Sequence, residues 1–328
     1  MGRHLVEAAL ARGDEVTLFN RGNTPLADSK VELLRGDREK DLSLLEGRAW
    51  DVAIDTCGYL PNVVRRSAEL LYEAIAHYTF VSTISVYPDG GPSHDEGSPV
   101  RTLTREQSRQ AESLPKSKSR AGRDFGDLYG PLKAECENAA VSGMRGRALV
   151  VRPGVIIGPH DTSDRFTYWV RRVARAGEVL APQPKNRRVQ LIDARDLAAW
   201  ILSMAEARCI GTYNAVGPRA PMSMGELLAT AKDRMDGDST FTWVDGDFLA
   251  KHEVELPLWI PNTDDAIDGS KAFAAGLCLR PVHETIDDTL AWDRSRPQAS
   301  LETGLSEERE ASLLRAWRDP TASEEART

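Results

Sequence analysis

Tyr129 and Lys133 stand four residues apart in a stretch whose pattern predicts a helix near 127–142, so both side chains leave the same helix face. An ammonium beside a phenol favours the phenolate, which lets the tyrosine exchange a proton nearer neutrality than its ordinary pKa of about 10 allows. The pair is therefore a candidate acid/base for a carbonyl or an alcohol. Spacing alone describes a helix-surface contact equally well, but position adds to it. The pair follows a strand that ends Ser82-Thr83-Ile84-Ser85-Val86-Tyr87, and open α/β sheets take their ligands at the carboxyl ends of their strands.

The surrounding elements supply that sheet. Leu5, Val6, Ala9 and Leu10 recur at helical spacing and Gly13 follows, which predicts a helix over 3–12. Short β-branched runs follow at 15–20, 31–36, 51–57 and 78–83, with helical stretches between several of them. This alternation predicts βαβ units, hence a doubly wound, Rossmann-like α/β fold with a mostly parallel sheet. Residues 88–125 show little periodicity and read as a long surface loop. The alternation resumes through a strand at 147–151, a helix near 165–176, a strand at 189–193, a helix at 195–207 and GTYNAVG at 211–217. From Ser223 onwards the pattern changes to helices with isolated strands, as in a smaller α+β substrate domain. The expected division is a dinucleotide-binding part over 1–158 continued by 188–217, a substrate part over 159–187 and 218–300, and a helix with a polar tail over 301–328.

Composition closes off other classes. The 328 residues carry a formal net charge of −8 with 41% hydrophobic residues, which places them among globular chains. The longest nearly apolar stretch, 148–157, is interrupted by Arg152 and Pro153 and falls short of a membrane span. No secretory signal opens the chain, and the four cysteines lie too far apart for a zinc or disulfide framework, so a cytoplasmic chain without a metal is expected. The acidic balance speaks against nucleic acid as a partner. The basic cluster Lys116, Lys118, Arg120 and Arg123 reads first as a solvated loop and second as a polyanion contact.

In order along the chain, GRHLVEAALARG, LFNRG, GD at 36–37, DVAIDTCGY, VSTISVYP, YGPLK, VVRPGVIIGP and VQLIDARDLA resemble the extended short-chain dehydrogenase/reductase family, also called the NAD-dependent epimerase/dehydratase family. The resemblance implies that Tyr129 is the acid/base, that Lys133 lowers its pKa and holds the nicotinamide ribose, and that Thr83 hydrogen-bonds the substrate oxygen, with Ser85 as rival. It places Gly2, Asn20, Arg21, Asp37, Arg38, Cys57, Gly58, Arg152 and Pro153 at the cofactor. Tyr59, Ser85, Tyr87, Val155 and His160 are expected to line the substrate pocket. At 20–22 the sequence has Asn-Arg-Gly, without the carboxylate that holds the ribose of NAD. Arg21 is either a partner for a 2′-phosphate or a solvated turn residue, and the expected cofactor is NADP ahead of NAD.

The family begins with a strand and a Gly-x-x-Gly-x-x-Gly turn, and Gly2 matches the third of those glycines. In the usual strand order the strand before it lies between EVTLFN and DVAIDTC. The expectation is a mis-called start, and a sheet that must re-pair, borrow a strand or be marginal. Dehydratases of the family carry Asp-Glu directly after the catalytic threonine, where this sequence has Ile84 and Ser85, and epimerases place an asparagine where it has Val155. The resemblance therefore implies a reductase or dehydrogenase of a small carbonyl or alcohol. An epimerase acting through a keto intermediate, and a non-redox regulatory member, are the alternatives. A homodimer is a further implication.

Overall fold

A computed structural model describes residues 1–23, 30–90, 93–113, 122–235, 237–259, 266–297 and 300–319. In chain order the elements are α1 (Gly2–Arg12), β1 (Val16–Asn20), β2 (Val31–Arg35), β3 (Trp50–Asp55), α2 (Pro61–Leu71), β4 (Ile75–Val81), α3 (Arg105–Ser113), α4 (Tyr129–Gly143), β5 (Ala148–Pro153) and β6 (Val155–Ile157). They continue with α5 (Arg165–Ala174), β7 (Gly177–Pro182), β8 (Arg188–Asp193), α6 (Ala194–Glu206), β9 (Gly211–Ala215), β10 (Gly217–Ser223), α7 (Met224–Asp233), β11 (Ser239–Val244), α8 (Gly246–Lys251), α9 (Ser270–Ala274), α10 (Val282–Ser295) and α11 (Glu307–Arg318). No helix among the described residues is long and apolar enough to cross a membrane.

The chain divides into two compact units, the first made of 1–154, 195–219 and 266–278. Its main sheet has the order β3-β4-β5-β9 with every neighbour parallel. β4 is buried along almost its whole length because it is hydrogen-bonded on both sides and covered by helices. Tyr78 and Phe80 of β4 pack with Val64 and Ala68 of α2 and with Cys136, Ala139, Ala140 and Met144 of α4. The two helices lie close, since a Cβ on Gly143 would come within 2.7 Å of the Ala68 methyl. α1 ends at Gly13, whose φ of 87° gives the left-handed cap that returns its N–H to Ala9 and Leu10.

β1 and β2 pair with each other in parallel register but form a separate two-stranded sheet. Among the described residues no ladder joins β1 to β3, so of the outcomes expected from the sequence the strands have not re-paired. Phe19 and Leu34 still meet Trp50 and Leu70 in one apolar cluster, so side chains tie the pair to the main sheet. α3 falls inside the stretch expected as a loop. Thr104 and Gln107 each bond the other's backbone N–H, at 2.9 and 3.1 Å, a reciprocal cap that nucleates a helix with no apolar face to betray it.

The second unit, 155–194, 220–265 and 279–328, has its own core. β8 lies between β10 and β6, and β7 pairs with β11. Phe166 and Trp169 of α5, Leu180, Leu191, Met224 and Leu313 form one cluster. Glu310 of α11 is buried against Arg172 at 2.5 Å and accepts the Leu180 N–H at 3.0 Å. Two expected boundaries shift accordingly. The 188–193 strand sits in the second unit, and the C-terminal helix is part of that unit's core instead of a separate segment.

Candidate functional site

α4 carries Tyr129 in its first turn, where Pro131 is tolerated because its missing N–H would have no intrahelical partner. The helix meets the end of β4 at closest range through Gly130, where an added Cβ would lie 2.1 Å from the Ser85 carbonyl oxygen. This approach brings the start of α4 against the turn that holds Thr83 and Ser85. Thr83 caps that turn: its Oγ1 accepts the Ser85 N–H and donates to the Ser85 Oγ, both at 3.1 Å. Both hydroxyls, read from sequence as rivals, are thus bonded to each other.

Lys133 is 2% exposed. Its Nζ donates to the carbonyls of Gly58 and Val81 at 2.9 and 2.7 Å and lies 4.2 Å from the Phe80 ring centroid. Burial pulls this ammonium below the ordinary lysine range, and Asp55 and Glu137 push it back only in part. Tyr59 fills the space beside the pair. Its ring stacks on Phe125 at 5.4 Å, lies 6.4 Å from that of Tyr129, and has Lys133 Nζ 5.5 Å from its centroid. Burial pushes the Tyr59 phenol well up, with Tyr129 adding to the effect, so Tyr59 stays a neutral hydroxyl at physiological pH. Gly122 closes on the Tyr129 ring, since its Cβ would approach to 3.0 Å.

The remaining positions fall in distinct places. Asn20 ends β1 with its Oδ1 on the Gly22 N–H at 2.7 Å, Arg21 is exposed, and Gly22 lies against the Arg35 side chain. Asp37 accepts the Glu39 N–H at 3.1 Å. Gly2 opens α1 with Thr56 Oγ1 4.0 Å from where its Cβ would be. Arg38 turns inward, giving Nη1 to Asp55 at 2.5 Å and Nη2 to Ser67 at 3.0 Å. Asp55 also accepts the Tyr78 hydroxyl at 2.8 Å and the Cys57 N–H at 3.1 Å. Cys57 itself is an exposed free thiol. Gly58 is small for the core's sake, because a Cβ there would meet Phe80 and Val64 at 2.6 Å.

Tyr87 and Arg152, expected at substrate and cofactor, are 3% and 5% exposed. Arg152 is spent on Glu137 and on the Tyr87 hydroxyl, and Pro153 is buried in β5. Val155 and His160 belong to the second unit, Val155 against its core and the His160 ring 5.3 Å from Trp292. Lys116, Lys118 and Arg120 lie outside the described residues, as does the Arg123 side chain. Asp55 and Glu137 escaped the sequence reading. Glu137 follows Lys133 by the same four residues that separate Lys133 from Tyr129, a signal that was present in the spacing.

No family model and no curated protein matches the sequence. Solved structures do. MoeE5 in complex with UDP-glucose and NAD is 17% identical with a TM-score of 0.64, over 89% of this chain and 95% of that one. UDP-glucuronic acid 4-epimerase from Bacillus cereus in complex with NAD is 13% identical with a TM-score of 0.63, over the same shares. The Bordetella bronchiseptica enzyme WbmH in complex with NAD+ is 13% identical with a TM-score of 0.66, over 90% of this chain and 95% of that one. At these identities the likeness establishes the fold, a Rossmann-like α/β fold with a mostly parallel sheet and a C-terminal part.

Proposed function

We propose that this chain is an extended short-chain dehydrogenase/reductase that binds a nicotinamide dinucleotide and inverts an alcohol carbon of a sugar nucleotide through a keto intermediate. The observation that carries the reading is the Tyr129–Lys133 pair on α4, held by Gly130 against the Thr83 turn at the carboxyl end of β4. The structural neighbours, whose crystals hold NAD and in one case UDP-glucose, support the substrate class.

The residues present fit a dinucleotide. α1 begins without a side-chain cap and without an acid in its first turn, so its leading N–H groups suit a diphosphate. The ends of β1 and β3 carry Asn20, Arg21 and Thr56 nearby. A bound nicotinamide supplies reversible hydride exchange with carbon. Tyr129 Oη takes the substrate hydroxyl proton as the carbon is oxidised and returns it on reduction. Lys133, with two of its three donors on Gly58 and Val81, keeps one donor for the ribose and its charge for the phenolate. Thr83 Oγ1 orients the substrate oxygen. Arg21 after β1 and Arg35 at the end of β2 supply positive charge for a 2′-phosphate, whereas the neighbours hold NAD; calorimetric titration with NADH and with NADPH separates the two.

Incubation with UDP-glucose or UDP-glucuronic acid and NAD, followed by proton NMR, should show the inverted sugar, and Tyr129→Phe should cut the rate by about 10²–10⁴ at unchanged thermal stability. Full activity of Tyr129→Phe would refute the mechanism. A reductase of a small carbonyl remains the second reading, favoured by Val155 in place of the family's asparagine. It consumes reduced dinucleotide stoichiometrically, which absorbance at 340 nm detects.

A further inference from the structure

We propose that the buried Glu137–Arg152 pair is the positioning device that sets α4, and with it Tyr129 and Lys133, against the Thr83 turn. The inference rests on the reading above only in taking Thr83 and Tyr129 as the reacting pair.

Tyr129, Lys133 and Glu137 follow one another at intervals of four, so they share one stripe of α4. Glu137 is 6% exposed. Its Oε1 accepts the Ser82 hydroxyl at 2.5 Å, one residue before Thr83. Arg152 on β5 grips it as a fork, Nε to the two oxygens at 3.0 and 3.2 Å and Nη2 to Oε2 at 2.6 Å. The second arm of the same guanidinium donates to the Tyr87 hydroxyl at 2.7 Å, just beyond the Thr83–Ser85 turn. Tyr87 in turn donates to Asn214 Oδ1 on β9 at 2.8 Å. One polar chain therefore joins the catalytic helix to both flanks of the Thr83 turn and to two neighbouring strands.

Burial disfavours the Arg152 cation, and Glu137 and Tyr87 more than offset it. Apolar side chains of similar volume would stabilise such a site as well or better, because desolvation consumes most of what a buried ion pair gains. What they would not supply is direction. A bidentate fork plus two hydroxyl contacts fixes both the rotation of α4 and its height along β4, which dispersion contacts leave free to slide.

The test separates stability from placement. A double variant, Glu137→Met with Arg152→Met, removes both charges together, and Ser82→Ala removes only the tie to the strand end. Three readouts apply: the thermal midpoint, the ionisation of Tyr129 followed by tyrosinate absorbance against Tyr129→Phe, and kcat against KM for the sugar nucleotide that the native chain turns over. The double variant should melt within a few degrees of the native chain. Its Tyr129 titration should move by at least half a pH unit, and kcat should drop tenfold or more at a KM within twofold. Ser82→Ala should shift the same way by less, and Glu137→Gln, which keeps the Ser82 contact, should retain more than the double variant. A folded double variant with native Tyr129 ionisation overturns the proposal. If the double variant does not fold, Ser82→Ala decides on the same readouts, and an unmoved titration there overturns it. The titration needs no substrate, so a native chain inert on every sugar nucleotide refutes the functional reading without touching this test.

Discussion

Asp55 shows how one buried carboxylate can tie a strand end to side chains remote in sequence. Burial alone would raise its carboxyl, but Arg38, the Tyr78 hydroxyl and the Cys57 N–H outweigh burial and hold it below the ordinary carboxylate range. Its folded pKa is therefore lower than its unfolded one of about 3.9. The stabilisation is complete above the unfolded value and is lost as pH falls through the lower, folded one. Asp55→Asn should cost roughly 3–5 kcal/mol at pH 7, since it strands Arg38, and should flatten the acid limb of the stability curve below about pH 4. Urea unfolding at pH 7 and pH 3 checks both, and parallel curves for native and variant would remove Asp55 from this role. Residues of this kind were hidden in the sequence for a common reason. Arg38 and Asp55, or Arg152 and Glu137, become partners only when strands and helices remote in sequence meet, and the same guanidinium that reads as a cofactor ligand in a motif is already bonded in the fold. Tyr129 and Lys133 were legible because both lie on one helix, whose period alone brings them together.

At the level of elements, hydrophobic period decided what could be read. β3, β4, β5 and the helix α2 between the first two carry apolar residues at strand or helix spacing, and that much of the α/β alternation follows from the pattern alone. α3 has no such stripe and is set by the Thr104–Gln107 cap, while the second unit's strands are short and separated by variable connections, so their pairing is invisible without coordinates. The contact of α4 with the Thr83 turn depends on a residue with no side chain. Gly130→Ala would place a methyl 2.1 Å from the Ser85 oxygen, a distance that no rotamer change relieves because both partners are backbone. Helix and turn must separate, with an expected loss of about 1–3 kcal/mol. Because Thr83 sits in that turn, activity should fall further than stability does. A melting curve with a parallel rate assay measures the two, and a variant with native values in both would mean that α4 approaches the turn less closely than 2.1 Å implies.

Across the whole molecule, each unit has its own core, yet the sheets are unequal in closure. Among the described residues β4 and β5 are hydrogen-bonded on both sides, β3 pairs with β4 alone, and β1 with β2 alone. Burial follows the same gradient: β5 is buried throughout, whereas β1 and most of β3 are half-exposed. An open parallel edge leaves alternate N–H groups without a ladder partner, and local opening costs less where fewer bonds must break. Deuterium exchange followed by mass spectrometry should therefore label peptides covering 16–20, 31–35 and 50–55 at least about tenfold faster than those covering 75–81 and 148–153. The gradient follows from hydrogen-bond topology and not from solvent exposure alone, which Asp55 and Phe80 distinguish: both are buried and face each other across the β3–β4 ladder, but among the described residues only Phe80 has a ladder on its other side as well. If β1 and β3 exchange as slowly as β4, their edges are covered in solution, and hydrogen-bond topology does not set the order of opening.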